Sequence, residues 1–106
     1  MKVGIIVYSN DSETVWNAFR FANFTLAKDD EVRVFLLGKG VDCELLDTDK
    51  FKVTEQLETF VDSGGRIFAC GTCLEIHQLK PPETFTVASL KDLHDIAKES
   101  DKIITF

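Results

Sequence analysis

The sequence predicts an α/β domain: a parallel β-sheet with helices on both sides. Three observations carry this. Strand-like and helix-like segments alternate along the whole chain. The first strand-like segment is an unbroken, β-branched apolar run, the kind buried on both faces of a parallel sheet. Paired glycines and paired prolines punctuate the alternation where helices must stop.

The elements follow in order. Val3 to Tyr8 is the first strand. Ser12 to Lys28 places Val15, Ala18, Phe19, Ala22 and Leu26 on one helical face, with Asp11 or Ser12 as N-cap. Glu31 to Leu37 is the second strand, ended by Gly38-Lys39-Gly40, and an irregular acidic stretch runs on to about Lys52. Val53, Leu57, Phe60 and Val61 restore helical spacing until Gly64-Gly65. Arg66 to Ala69 is the third strand and leads straight into Cys70. A short helix covers Cys73 to Gln78, and Pro81-Pro82 prevents its continuation. Phe85 to Val87 is a short strand. Ser89-Leu90-Lys91-Asp92 is a capping box opening a helix with Leu90, Leu93 and Ala97 inward. Lys102 to Phe106 is the last strand. Five parallel strands in this order suit a flavodoxin-like three-layer sandwich with strand order 2-1-3-4-5. The loops Ser9–Ser12, Gly38–Val41 and Cys70–Cys73 then share the carboxyl end of the sheet, where such folds gather their chemistry.

The totals bound the rest. A chain of 106 residues that is 44% hydrophobic and 28% charged is one ordinary globular domain, residues 1–106. The net charge of -6 disfavours nucleic acid as a partner. The opening apolar run is too short for a secretion signal or a membrane span. Three cysteines, two of them only three apart, do not form a secreted disulfide framework; a cytoplasmic protein with available thiols is expected. Trp16, Phe21 and Phe24 lie off the inward face of the first helix. They mark either a self-association surface or rings folded under the Asp42–Lys52 loop.

The stretch Cys70-Gly71-Thr72-Cys73 carries the chemistry. A cysteine at the junction of a buried strand and a helix start is placed to become a thiolate, with Gly71 letting the backbone approach and Thr72 offering a hydrogen bond. The alternative is a small buried hydrophobe. Cys73 admits a dithiol redox pair, although the order of elements is not that of thioredoxin. A metal site would need His77 and the distant Cys43, and one and a half motifs are a weak zinc signal, so no metal is expected. His77 is otherwise a solvated helix residue, and His94 is structural. The loop Ser9 to Thr14 resembles a flavin-phosphate loop only weakly. Asp11 and Glu13 would repel a phosphate, the wrapping glycine is missing, and only Tyr8 and Trp16 are near to stack. No cofactor is expected.

Over nearly its whole length the chain resembles the DsrE/DsrF-like family, which includes sulfur-relay proteins of the TusD type. The likeness rests on "VGIIVYSNDSETVWNAFRFANFTLAKDDEVRVFLLGKGV", with its Gly38-Lys39-Gly40-Val41 turn, on "RIFACGTCLE", and on the ending "SLKDLHDIAKESDKIITF". The resemblance implies homotrimers or homohexamers, or hetero-oligomers with relatives. It also implies protein sulfur donors and acceptors, and a cysteine after the third strand, here Cys70, that carries sulfane sulfur as a persulfide. Cys73 is an optional second thiol. Lys39, where many relatives carry an acid, would add a positive charge beside Gly71 and Thr72 in binding the sulfur. The readings kept beside this one are an interaction module with structural cysteines and a Cys70/Cys73 dithiol redox protein.

Overall fold

The computed structural model describes residues 1–106. The chain forms β1 (Lys2–Val7), α1 (Ser12–Ala27), β2 (Glu31–Leu36), a 3₁₀ segment (Gly38–Leu45), α2 (Val53–Asp62), β3 (Arg66–Cys70), α3 (Gly71–Ile76), β4 (Phe85–Ala88), α4 (Leu90–Glu99) and β5 (Lys102–Thr105). All four strand pairings are parallel, for example Ile5↔Val34, Phe35↔Phe68, Cys70↔Ala88 and Ile5↔Ile104.

The α/β three-layer class is as the sequence predicts. The strand order is not: it is β4-β3-β2-β1-β5 rather than 2-1-3-4-5. After β2 the chain does not return past β1; it steps onward through β3 to β4, and a single long crossover brings it back to pair β5 with β1. The edges are therefore β4 and β5, and their exposure fits: Thr86 and Val87 of β4 and Lys102, Ile103 and Thr105 of β5 face solvent, whereas β2 is buried from Val34 to Leu36. The order also fixes the layers. Parallel crossovers are right-handed, so three successive steps in one direction put α1, α2 and α3 on one face, and the reversed step puts α4 alone on the other.

The larger core lies under α1 and α2, with Ile5, Val7, Val34, Leu36, Ile67 and Ala69 facing Val15, Phe19, Leu57 and Phe60. Asn23 of α1 ties to α2 by donating to the Gln56 carbonyl at 3.1 Å and to its Oε1 at 2.9 Å. Alternate residues of the same strands point the other way. Phe35, Phe68 and Cys70 join Ala88 of β4 and Ile96 of α4 in a smaller core. The inward face of α4 is thus Leu93 and Ile96, not Leu90 and Ala97, which are exposed. A helix crossing the sheet diagonally from the β4 edge to β1 meets it one position round from the face that spacing alone selects.

Local sequence sets the helix ends. Asp11 caps α1, accepting from the Thr14 N–H at 2.9 Å and the Thr14 hydroxyl at 3.0 Å, and these bonds hold its carboxyl below the usual carboxylate range. Gly64, at φ +93, ends α2: its N–H reaches the Val61 carbonyl at 3.0 Å while the Gly65 N–H reaches Phe60 at 2.8 Å. The Ser89 N–H donates to the Asp92 carboxylate at 2.8 Å, the reciprocal arm of the expected capping box.

The expected irregular stretch is not wholly irregular, since Gly38–Leu45 is helical and buries Gly40, Val41 and Cys43. Nor do the aromatics of α1 share one fate. Trp16 is half-buried against Phe51, 5.4 Å between ring centres, with the Arg20 guanidinium 4.4 Å from its own ring centre. Phe21 and Phe24 remain exposed, Phe24 at 62%.

Candidate functional site

Three loops converge at the carboxyl end of the sheet. The Asn10 amide, between β1 and α1, donates to Asp42 Oδ2 at 3.1 Å. His77, capping the C-terminus of α3, shares its Nδ1 with Asp42 Oδ1 at 2.8 Å. A carboxylate can only accept, so the bond fixes the proton on Nδ1. The Gly38 N–H donates to Cys73 Sγ at 3.1 Å. The 3₁₀ segment and α3 are therefore pinned at two points four residues apart on each. His77 is not the solvated helix residue expected: it is half-buried and Asp42 holds it. No signal in the sequence pairs them, because the two lie 35 positions apart on different elements.

Beside these pins a cleft of about 380 Å³ opens on the α4 side, lined by Leu37, Cys70 to Cys73, and Ala88 to Leu90. Its position follows from topology. β3 leads into α3 on one face of the sheet and its neighbour β4 leads into α4 on the other, so their following segments part and leave a crevice. The walls are the apolar Leu37, Ala88 and Leu90, and the polar groups are the hydroxyls of Thr72 and Ser89; no charged side chain lines it. The cleft brings Cys70, Gly71, Thr72 and Cys73 together and leaves Lys39 out, exposed on the 3₁₀ segment.

The two cysteines differ in burial. Cys70 is 6% exposed and Cys73 only half-buried. The start of α3 does not supply the expected donors: Cys70 is the N-cap, its side chain makes no capping bond, and the helix is six residues long. The backbone donor in the site comes from Gly38 and goes to Cys73. Burial pushes the Cys73 thiol up, and the neighbouring Cys70 sulfur pushes it the same way.

Cys43 stands apart. It is fully buried in the larger core, on the opposite face of the sheet from Cys70, so it cannot complete a ligand set with Cys70, Cys73 and His77. No three His, Cys, Asp or Glu side chains converge anywhere in the molecule. Burial raises the Cys43 thiol far above the ordinary value of 9.0. Folded and unfolded chains then differ by one proton above that pH, and the sign is fixed: stability is intact below the unfolded value and falls as pH rises beyond it. The slope per thiol is up to about 1.4 kcal/mol per pH unit. Urea melts between about pH 8 and about pH 10 should show Cys43→Ala losing stability less steeply than wild type. Parallel slopes would refute the assignment.

The hydroxyls of the first loop are spent on the protein itself. Ser9 Oγ accepts from the Asp11 N–H at 3.0 Å, and Ser12 donates to the Leu46 carbonyl at 2.7 Å. They hold the loop to α1 and to the end of the 3₁₀ segment.

A strand delivering Cys70 into a short helix, beside a second strand that ends in the Gly38–Val41 turn, is the arrangement on which the family resemblance rests. The sequence model of the DsrE/DsrF-like family matches residues 1–106. The chain belongs to this family. Among curated relatives, the uncharacterised protein MJ0989 of Methanocaldococcus jannaschii is 32% identical over 100 residues, covering 89% of this chain and 88% of that one. The uncharacterised protein MK0008 of Methanopyrus kandleri is 31% identical over 100 residues, covering 89% and 83%. Among solved structures, the ychN protein of E. coli superimposes with a TM-score of 0.85 at 21% identity over 100% of both chains. MTH1491 of Methanobacterium thermoautotrophicum, a protein of unknown function, gives 0.78 at 17% identity, covering 99% and 98%. At these identities the structural likeness speaks for the fold, and this DsrE-like chain shares it end to end. No helix of the chain is long and apolar enough to cross a membrane.

Proposed function

We propose that this DsrE-like domain is a cysteine sulfur carrier, with Cys70 accepting sulfane sulfur as a persulfide and passing it to a partner thiol. The observation that carries the reading is the uncharged cleft at the parting of β3 and β4, which has two thiols in its lining. Family membership supports it. The Cys70 thiolate attacks the outer sulfur of a donor persulfide, the donor leaves as a thiolate, and Cys70 keeps the outer sulfur. An acceptor thiolate then attacks that sulfur and Cys70 leaves as thiolate. Cys73, held as a thiol, stands beside Cys70 to donate a proton to the carried sulfur. Lys39 lies outside the cleft and would act only through a bound partner.

Self-association through α1 belongs to the same proposal. Phe21 and Phe24 present two rings to solvent on one face, an apolar patch that a second copy would cover.

The test of the carrier is intact-mass spectrometry after brief exposure to inorganic polysulfide. Wild type should gain one sulfur, Cys73→Ser should still gain it, and Cys70→Ser should not. Undiminished loading of Cys70→Ser would end the proposal.

A further inference from the structure

We infer that Cys73 gives this site a second activity: it closes a disulfide with Cys70 and expels the carried sulfur as hydrosulfide, so the domain reduces sulfane sulfur as well as relaying it. The inference rests on the carrier reading of Cys70.

Cys70 is the N-cap of α3 and Cys73 its third residue. Residues at these two positions are neighbours across the first turn; in a capping box the side chain of each reaches the backbone N–H of the other. Residues so placed lie within the Cα separation of about 4.4–6.8 Å that a disulfide spans. Both thiols line the same cleft, and Cys73 packs against the small core that holds Cys70. They are close enough for Cys70 to act on the protonation of Cys73.

Two further features favour release over storage. No cation lines the cleft, so nothing there retains an anionic leaving sulfur. The Gly38 N–H already points at Cys73 Sγ and would stabilise negative charge on that sulfur as it becomes the nucleophile. Cys43 cannot substitute, being sealed on the other face of the sheet.

The step balances. Cys73 Sγ attacks Cys70 Sγ of the persulfide. The bond between the two cysteine sulfurs forms and the bond from Cys70 Sγ to the outer sulfur breaks. Its electron pair leaves with the outer sulfur as hydrosulfide, which takes the proton given up by Cys73. The outer sulfur is reduced to sulfide while the two cysteines are oxidised to a disulfide. An external dithiol reopens the disulfide by exchange and is the reductant of the cycle.

The experiment loads the full chain with inorganic polysulfide without oxygen, removes the excess, and follows it with no acceptor and no reductant present. Wild type should release one sulfide per loaded chain, with matching conversion to a Cys70–Cys73 disulfide identified by peptide mapping. Cys73→Ser should keep its extra sulfur and release none, and Cys73→Ala should do the same if serine disturbs the Gly38 contact. A wild-type persulfide as long-lived as that of both variants, with no disulfide, overturns the second activity and leaves the carrier standing. A chain that takes up no sulfur overturns both.

Discussion

Replacing Gly40 with alanine is expected to remove most of the stability of the domain. A β-carbon at this position would sit 1.9 Å from the Val7 carbonyl oxygen and 2.7 Å from the Val7 carbonyl carbon. Overlap with the far end of a side chain is relieved by a rotamer change. Here the obstacle is the backbone of β1, whose Val7 carbonyl already accepts the Leu37 N–H at 2.9 Å. Relief requires the 3₁₀ segment to lift off the sheet, taking Val41 and Cys43 out of the core. Ordinary overpacking costs about 1–3 kcal/mol; a backbone collision with loss of burial belongs with changes above about 4 kcal/mol. Domains of this kind have about 5–15 kcal/mol in all. Urea denaturation of Gly40→Ala should show a sharply lowered midpoint or no folded baseline. The site should fail with it, because Gly38 and Asp42 sit on the same segment. A melt that superimposes on wild type would mean that the segment does not dock on β1 as described.

Phe35→Ala is expected to cost about 3–5 kcal/mol, the range for truncating a fully buried phenylalanine. Phe35 is fully buried and shares the smaller core with Phe68, Cys70, Ala88 and Ile96. One helix covers this face, so little can slide in to fill the space. The cavity would open in the core that holds Cys70, which ties a packing change to a chemical readout. Chemical melts should give the stability loss, and alkylation of Cys70 in the folded protein should quicken relative to wild type. A loss below about 1 kcal/mol with unchanged alkylation would show that α4 does not seal this side.

The legible parts of the sequence were those written in short-range chemistry. The apolar run of β1, the Asp11 cap, the Gly64-Gly65 stop and the Ser89–Asp92 box each act within a few residues, and each is present. The placement of Cys70 at the carboxyl end of β3 followed from the same local reading. The resemblance to the DsrE/DsrF-like family came from the order of these pieces, and the whole-chain match bears it out. What misled was everything that depends on a neighbour. Leu90 and Ala97 had the right spacing for a buried face, yet the diagonal path of α4 selects Leu93 and Ile96. Trp16 and Phe24 stood on equal terms as surplus aromatics until Phe51 covered one of them. Nothing read from the short strand Phe85 to Val87 marked it as an edge; its exposed Thr86 and Val87 show that only once the sheet is assembled.

The sequence by itself determined five parallel strands, their helices, and a thiol pair where the third strand meets a helix. Periodicity and capping act through contacts a few residues long, and those are contained in the chain as written. The tertiary structure alone decided the rest. It placed β4 at an edge, so that β3 and β4 send their next segments to opposite faces and a crevice opens over Cys70. It brought Gly38 to Cys73 and Asp42 to His77 across 35 residues. It also set the depths of the two cysteines, burying Cys70 and leaving Cys73 half-exposed. Each of these depends on which surfaces exclude water together, and that is fixed only when the layers close.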